Sequence, residues 1–373
     1  MNHVVEIMVL PSNVDSDQTL AQFYILQHES WHDVPFSQLP TIGLERLRPA
    51  LETLLEQIGV RLREGNAAGA EGRLRTRGEG YWNNLLPPRI RSALTGALEQ
   101  GDGPPQLLIH THQTLEWIPW ELLYDGREWL GVSCQISRLP MVVGGPAGNG
   151  APHQVQHAHS FLGSEVFDDV EGDEYRQWSS TFDCLGAAGG TVHLLPKDGL
   201  TGFPTIDNLE EMQEADIIHF TCHGGTDRNG GGPCLQLNPY DTLTGDIDTP
   251  TVEAMVFDSP GPLVFGNACS SAAVAPNTDA GPPLTRGLGM AFFNRGASAF
   301  IGSIAPVSKA TAVGFAETFY QHLLSDRLPV GEALRLTKME SRASGGSDPS
   351  WLFYCLYGSP RSRFLPPGPA DPS

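Results

Sequence analysis

Residues 216–225 read DIIHFTCHGG and residues 263–271 read LVFGNACSS, and these two stretches decide the fold class of the chain. Each opens with a short apolar run of the kind that forms a strand buried on both faces of a parallel sheet. Each run passes directly into a reactive side chain, His223 in the first stretch and Cys269 in the second. Since ligands bind outside the carboxyl ends of the strands in open parallel sheets, we expect both side chains at the same edge of one sheet.

A thiol and an imidazole at one sheet edge are suited to nucleophilic catalysis. A free thiol has a pKa of about 8.5, and a nearby imidazole can remove its proton and later return one to a leaving amine. Glycine after the histidine lets the backbone come close to a substrate, so the amides of Gly224 and Cys269 are expected to point at a developing oxyanion. Alone, Cys269 would more often be a packed core thiol, and its pairing with a His-Gly strand end favours catalysis. The neighbouring His219 and Cys222 are predicted to be interior residues.

Apolar runs continue on both sides of these two stretches. Further strands are predicted at 154–162, 191–195, 297–304 and 351–357, and helices at 205–214, 286–295, 308–324 and 329–341. Strands that alternate with helices imply a mostly parallel α/β sheet covered by helices on both faces.

The first 143 residues are predicted to be an accessory portion of helices and strands packed onto that sheet. Apolar positions from Leu44 to Leu62 follow helical spacing, residues 88–99 form a second predicted helix, and residues 106–111 a strand. The glycine-rich segment 64–80 is predicted to be a loop, and residues 1–35 fit no clear pattern. A Gly/Pro-rich linker at 144–152 would separate this portion from a catalytic domain at 153–365, followed by a tail at 366–373.

Composition and charge exclude several classes of protein. The 373 residues include 23 basic and 43 acidic side chains, a net charge of −20 without a basic stripe, so nucleic acid is not expected as a direct partner. No stretch reaches the roughly 18–20 apolar residues that cross a bilayer, and no secretory signal is visible. Six scattered cysteines without a CxxC predict reduced thiols and a cytoplasmic location. Histidines 153, 157 and 159 have no cysteine or carboxylate partner at a ligand spacing, so no metal site is predicted there. Catalysis by a thiol and an imidazole needs neither a metal nor an organic cofactor, so none is predicted.

Together with its surrounding motifs, the sequence resembles the CHAT domain, a caspase-like family related to caspases, separases and gingipains. The separation of 46 residues between His223 and Cys269 is close to the roughly 50 residues between the caspase histidine and cysteine. The motifs that carry the resemblance are IPWELL at 118–123, ISR at 136–138, HFTCHG at 219–224, NACSS at 267–271, GL at 287–288, RGAS at 295–298, FY at 319–320, EAL at 332–334 and the run 351–358.

This resemblance implies a caspase-like fold and cysteine endopeptidase activity, with His223 as the base and Cys269 as the nucleophile. It further implies cleavage of a specific protein substrate in signalled proteolysis, such as prokaryotic antiviral defence or programmed cell death. We expect a separate activator or inhibitor protein, and activation by that partner or by processing, for which the loop 272–283 after the nucleophile is a candidate.

One stretch departs from the pattern of the family. In many members, the region corresponding to residues 302–309 carries a Trp and one or two aspartates, whereas here it reads GSIAPVSK. If this region lines the S1 pocket, as the resemblance implies, Ser303, Ala305 and Lys309 are pocket candidates and an acid that would pair an arginine is missing. Asp227 and Asp279 are then the candidate carboxylates, and the P1 preference stays open. The altered stretch also leaves open a catalytically silent scaffold or adaptor, and a thiol acyltransferase could use the same site.

Overall fold

The computed structural model describes fourteen segments of the chain. They are residues 3–15, 18–27, 30–34, 44–100, 103–141, 152–163, 182–187, 189–195, 212–226, 232–237, 246–257, 261–274, 287–344 and 346–367. The predicted linker, apart from Pro152, and most of the predicted tail and of the helix expected at 205–214 lie outside these segments.

Sixteen strands are found in the described segments. They are β1 (Val4–Asp15), β2 (Gln18–Gln27), β3 (Ser30–Asp33), β4 (Gln106–Thr111), β5 (Gln135–Pro140), β6 (His153–Gln154), β7 (His157–Leu162), β8 (Thr191–Leu195), β9 (Ile217–Thr221), β10 (His223–Thr226), β11 (Pro233–Gln236), β12 (Asp246–Ile247), β13 (Leu263–Asn267), β14 (Ala299–Ser303), β15 (Tyr354–Gly358) and β16 (Phe364–Leu365).

Nine α-helices accompany the strands in the same segments. They are α1 (Leu44–Arg63), α2 (Ala70–Leu85), α3 (Pro88–Gln100), α4 (Leu130–Ser133), α5 (Asp183–Ala187), α6 (Thr249–Glu253), α7 (Leu288–Asn294), α8 (Lys309–Tyr320) and α9 (Val330–Ser344). None of the described helices is both long and apolar enough to traverse a lipid bilayer.

Eleven of the described strands form one sheet in the order β3-β2-β1-β4-β5-β15-β14-β13-β9-β7-β8. The pairs β1–β2, β2–β3 and β14–β15 are antiparallel, and the other neighbours are parallel. The mostly parallel α/β sheet expected from the sequence is therefore confirmed. β15 lies between β5 and β14, so it joins the N-terminal strands to the strands that carry the two reactive residues.

Both faces of the sheet are buried, and successive residues along its central strands alternate between two hydrophobic cores. Leu263 and Phe265 pack into one core together with side chains of α1, α2, α3, α8 and α9. Val264 packs into the other core with side chains of α6 and α7. This period of two explains why the strand at 263–267 is an uninterrupted apolar run in the sequence.

One sequence prediction is wrong in the N-terminal portion. The segment 64–80, expected to be a loop, contains the first eleven residues of α2, whose buried residues include Leu74, Tyr81 and Trp82. Gly78 allows this helix to approach the carbonyl of Leu122 and the ring of Trp129. Packing against the remainder of the chain therefore overrides the low helix propensity of the glycines. Residues 4–33, which fit no pattern, supply β1–β3.

The expected strand at 351–357 also differs in its first half. Residues Ser350–Phe353 form a 3-10 helix, and the strand β15 begins at Tyr354. The remaining predicted helices and strands within the described segments are present, with ends that differ by a few residues.

A buried ion pair lies where the N-terminal strands meet β15. The Arg138 guanidinium on β5 contacts the Glu121 carboxylate at 2.5 Å, and both side chains are only 1% exposed. Arg138 also donates to the carbonyl of Glu116. Burial raises the pKa of Glu116 to about 8 and lowers the pKa of the nearby Lys338 on α9 to about 8. Since an isolated buried charge is strongly destabilising, the guanidinium depends on its carboxylate partner.

We predict that Glu121→Ala lowers the free energy of unfolding by about 3–5 kcal/mol, because it leaves Arg138 buried and unpaired. The exposed pair Arg127–Glu99, whose side chains are 78% and 55% exposed, is the matched control. Arg127→Ala should change the free energy by no more than about 1 kcal/mol. Chemical denaturation measures both, and equal losses in the two variants would contradict the prediction.

Candidate active site

The strands β9 and β13 are direct parallel neighbours in the sheet. Their register pairs Thr221 with Asn267, the last residues of the two strands. His223 and Cys269 each follow two residues later, so the chain leaves the sheet toward both of them at the same edge and at the same level. The expectation that these two stretches form adjacent strands is confirmed.

The backbone segments that follow the two strands, β10 after β9 and the turn after β13, are in direct contact. A Cβ atom added at Gly224 would overlap the carbonyl group of Cys269 and would lie 3.1 Å from its amide nitrogen. No residue other than glycine fits there without movement of the backbone. His223 is exposed and Cys269 is half-buried, so both side chains are within reach of a ligand in solution.

The cysteine lies in a short turn, residues 268–272, here called the nucleophile turn. Within it, Ser270 has a left-handed backbone conformation with φ of 55°, which costs of order 1–3 kcal/mol for a residue with a side chain. The Ser271 hydroxyl donates to the carbonyl of Gly266 at 2.5 Å and accepts from the amide of Ser303 at 3.0 Å. The strained turn is therefore held in place by the side chain of Ser271.

The segment after β14 holds the other side of the nucleophile turn. The amide of Ser270 donates to the carbonyl of Ala305 at 3.1 Å, and the amide of Ala272 donates to the carbonyl of Ser303 at 2.8 Å. The Cys269 thiol lies 3.6 Å from the carbonyl oxygen of Val307. The carbonyls of Ser303, Ala305 and Val307 thus all face donors from the nucleophile turn.

Asn267, the first residue of the sequence motif NACSS, anchors the end of β13, a role that the sequence analysis did not predict. The side-chain oxygen of Asn267 accepts from the Tyr354 hydroxyl at 2.7 Å, and its nitrogen donates to the carbonyl of Ala312 at 2.9 Å. These bonds tie the end of β13 to β15 and to α8. A polar residue that ends an apolar run and precedes a reactive cysteine is the only signal that the sequence offers for this anchor.

Of the two neighbouring residues predicted to be interior, His219 is buried, whereas Cys222 is half-buried. Nδ1 of His219 lies 2.9 Å from the Tyr320 hydroxyl and Nε2 lies 3.1 Å from the Thr221 hydroxyl. Burial lowers the pKa of His219 well below its usual range, so its imidazole is neutral. Burial likewise raises the pKa of the Cys222 thiol, which stays protonated at neutral pH.

The structure places three of the five pocket candidates. Ser303 is buried, and its hydroxyl donates to the carbonyl of Ala305 at 2.7 Å. Ala305 is also buried, whereas Lys309 is exposed at the start of α8. Asp227, Asp279 and all but the first three residues of the loop 272–283 lie outside the described segments.

A carboxylate that the sequence analysis missed lies beside this segment. Oδ1 of Asp348 accepts from the amide and hydroxyl of Ser350 at 2.8 and 2.5 Å, and Oδ2 accepts from the Thr311 hydroxyl at 2.6 Å and from the Ser308 hydroxyl. Ser308 is also the N-cap of α8. Burial alone would raise the pKa of Asp348, but the bonds from Ser308, Ser350 and Thr311 outweigh it and lower the pKa.

No metal-binding arrangement is found in the described part of the chain, where no group of three or more His, Cys, Asp or Glu side chains is placed to hold an ion. His157, His159 and His193 lie on neighbouring strands, with ring centroids 4.6 Å apart for His159 and His193 and 6.4 Å apart for His157 and His193.

The family follows from comparison with known proteins. The family model of the CHAT domain matches residues 76–351, well over half of the chain. The protein therefore belongs to the CHAT-domain family.

Individual relatives are more distant. A probable protease of Vitiosangium sp. (strain GDMCC 1.1324) is 31% identical over 134 residues, which is 35% of this chain and 17% of that protein. The chain thus matches less than a fifth of the length of this curated relative. The structure of the Saccharomyces cerevisiae separase–securin complex has a TM-score of 0.42 at 14% identity over 68% of this chain and 15% of the other. The complex of Porphyromonas gingivalis RgpB pro- and mature domains has a TM-score of 0.49 at 12% identity, covering 74% and 70% of the two chains.

We predict that Asp348→Asn lowers the free energy of unfolding at pH 7 by about 1.5–3 kcal/mol, because an amide cannot accept all of these hydrogen bonds. The pKa of Asp348 is lower in the folded protein than the usual unfolded value of about 3.9, so its stabilisation is complete well above that value and is lost as the pH falls through the folded pKa. The difference between wild type and variant should therefore stay constant from about pH 5 to about pH 8, because pH 5 already lies about one unit above that usual value. It should shrink below about pH 4.

Urea denaturation across this pH range measures the difference. Glu317→Gln is the control, since Glu317 is an exposed carboxylate on the same helix α8. A difference that persists unchanged at the acidic end would show that the charge of Asp348 is not the stabilising feature.

Proposed function

We propose that the protein is a cysteine endopeptidase in which His223 is the general base and Cys269 is the nucleophile. The observation that carries this proposal is the backbone contact between Gly224 and Cys269 at the ends of two paired parallel strands. It places the residue after the histidine against the cysteine itself. Membership in the CHAT-domain family, whose resemblance to caspases implies a cysteine endopeptidase, supports the same chemistry.

The proposed reaction has two stages. His223 takes the proton of the Cys269 thiol, and the thiolate attacks the carbonyl carbon of a peptide bond. The imidazolium then gives its proton to the leaving amine as the C–N bond breaks, which leaves a thioester on Cys269. Water, deprotonated by His223, attacks the thioester, so that the carboxylic acid product leaves and the thiol is restored.

The negative charge that develops on the carbonyl oxygen requires hydrogen-bond donors. The amides of Gly224 and Cys269 are the proposed oxyanion donors. Within the described segments, no backbone carbonyl accepts from the Cys269 amide, whereas the amides of Ser270, Ser271 and Ala272 are all bonded. This difference supports the assignment of the Cys269 amide.

Substrate selection is proposed to work against a basic P1 residue. Lys309 is the charged residue nearest in sequence to residues 305–307. Its side chain is exposed and carries a positive charge. The carboxylate of Asp348 is adjacent, but its acceptor positions are occupied by four hydrogen bonds. We further propose a specific protein substrate, a separate activator, and a role in prokaryotic defence or programmed cell death, as expected from the family.

A cytoplasmic location and a two-part organisation belong to the same proposal. The cysteines 134, 222, 234, 269 and 355 are free thiols, as expected in a reducing compartment. The division into an accessory portion at 1–143 and a catalytic domain at 153–365 stays a prediction. The second candidate function is a scaffold that keeps this fold without turnover, which the altered stretch 305–309 leaves open.

We predict that Cys269→Ala abolishes cleavage of a fluorogenic peptide library, and that His223→Ala lowers kcat by about 10²- to 10⁴-fold, the usual contribution of a general base. Cys222→Ala is the matched control, because this neighbouring thiol is held protonated by burial. It should retain cleavage. Mass spectrometry of the products gives the P1 residue.

The remaining outcomes of this assay separate the alternatives. If wild-type protein shows no cleavage that depends on Cys269, even with cell lysate added as a source of activator, this result would favour the scaffold. Ligated products instead of hydrolysed ones would indicate an acyltransferase. Cleavage concentrated after Arg or Lys would refute the proposed role of Lys309.

A further inference from the structure

The helix α1 contacts two chain segments that lie next to the nucleophile turn. A Cβ atom added at Gly59 would lie 2.6 Å from Cγ and 2.9 Å from Cβ of Pro306. Eleven residues earlier on the same helix, Nη2 of Arg48 donates to the carbonyl of Val274 at 2.8 Å. Pro306 follows β14, and Val274 follows the nucleophile turn, so α1 supports the turn from two sides.

Glycine at position 59 is informative because it is unfavourable for the helix itself. Gly59 is buried inside a helix of 20 residues, where alanine would be more stable. Its backbone is helical and does not require glycine. Because Gly59 has no side chain, the ring of Pro306 can approach the helix closely. This ring is a rigid group that cannot rotate away.

The position of Pro306 bears directly on the cysteine. The carbonyl before it, that of Ala305, accepts from the Ser270 amide at 3.1 Å. The carbonyl after it, that of Val307, lies 3.6 Å from the Cys269 sulfur. A displacement of Pro306 would therefore move two acceptors that hold the reactive cysteine and the residue that follows it.

Arg48 makes the second contact through a prearranged side chain. Its Nε is bonded to Glu52 at 2.7 Å, one turn further along α1, and the side chain is only 16% exposed. The free end of the guanidinium is thereby directed at the carbonyl of Val274. Val274 lies two residues beyond Ala272, whose amide is bonded to Ser303.

We propose that Gly59 and Arg48 are positioning residues, and that α1 of the N-terminal portion sets the reactivity of Cys269 through Pro306 and Val274. The proposal rests on the proposed function of Cys269 as nucleophile. Catalytic geometry is sensitive to such support, since a misplacement of about 1 Å can cost on the order of 10²-fold in rate. The N-terminal helix is thus a part of the catalytic apparatus and not only a stabilising cover.

The test compares Gly59→Ala with Gly96→Ala, a glycine in the interior of α3 with no atom within 4 Å of an added Cβ. Gly59→Ala should lower kcat on the order of 10²-fold with little change in KM, and should slow alkylation of Cys269 by iodoacetamide. Gly96→Ala should leave both rates unchanged. Pro306→Ala removes the ring atom nearest to the added methyl group, so Gly59→Ala/Pro306→Ala should recover part of the lost rate.

The alkylation rate, followed by intact-protein mass spectrometry, needs no substrate. If wild-type protein shows no cleavage that depends on Cys269, the proposed function fails while the positioning role is still tested by alkylation. If Gly59→Ala matches Gly96→Ala in both rates, or if removing the ring in the double variant restores nothing, the positioning role of Gly59 is refuted.

A second pair of variants covers the case in which Gly59→Ala does not fold. Arg48→Ala removes the bond to Val274, whereas Glu52→Ala removes only the ion pair on the surface of α1. Slower alkylation of Cys269 in Arg48→Ala than in Glu52→Ala supports the proposal. Equal rates in these two variants overturn it.

Discussion

The constraint on which this molecule depends is the close parallel pairing of β9 and β13. Their last residues are in register, and the segments beyond them touch through the backbones of Gly224 in β10 and Cys269 in the nucleophile turn. A methyl group at position 224 would separate these two segments, so the arrangement requires a residue without a side chain. Because hydrogen bonds of the sheet fix both strands, the positions of His223 and Cys269 are set by the most rigid part of the fold.

Much of the surrounding structure stabilises a turn that is unfavourable in itself. Ser270 is held in a left-handed conformation, and the carbonyls of Ser303 and Ala305 receive the amides of this turn. Asn267 fixes the end of the strand that precedes it. Strained backbone persists only where its neighbours determine it, and here the neighbours belong to β13, β14, β15 and α8. The residues expected to form a specificity pocket thus also serve as the support of the cysteine.

The N-terminal portion is joined to this centre by the continuous sheet and by two kinds of contact. The buried pair of Arg138 and Glu121 lies at the junction with β15, where its charges are compensated within the protein. The helix α1 reaches further, to Pro306 and Val274 beside the nucleophile turn. A partner that changed the position of α1 would therefore act on the cysteine without touching it.

The amino-acid sequence by itself determined the parallel sheet and most of its central strands, and it singled out His223 and Cys269 as candidates, since apolar runs that lead into these two residues are local patterns. It did not indicate α2, because the glycines that suggest a loop are compensated by contacts such as that of Gly78 with Trp129. Nor did it indicate Asp348 or Gly59. Their roles arise from contacts between residues distant in the chain, with Ser308 and with Pro306, and such contacts exist only once the tertiary structure has formed.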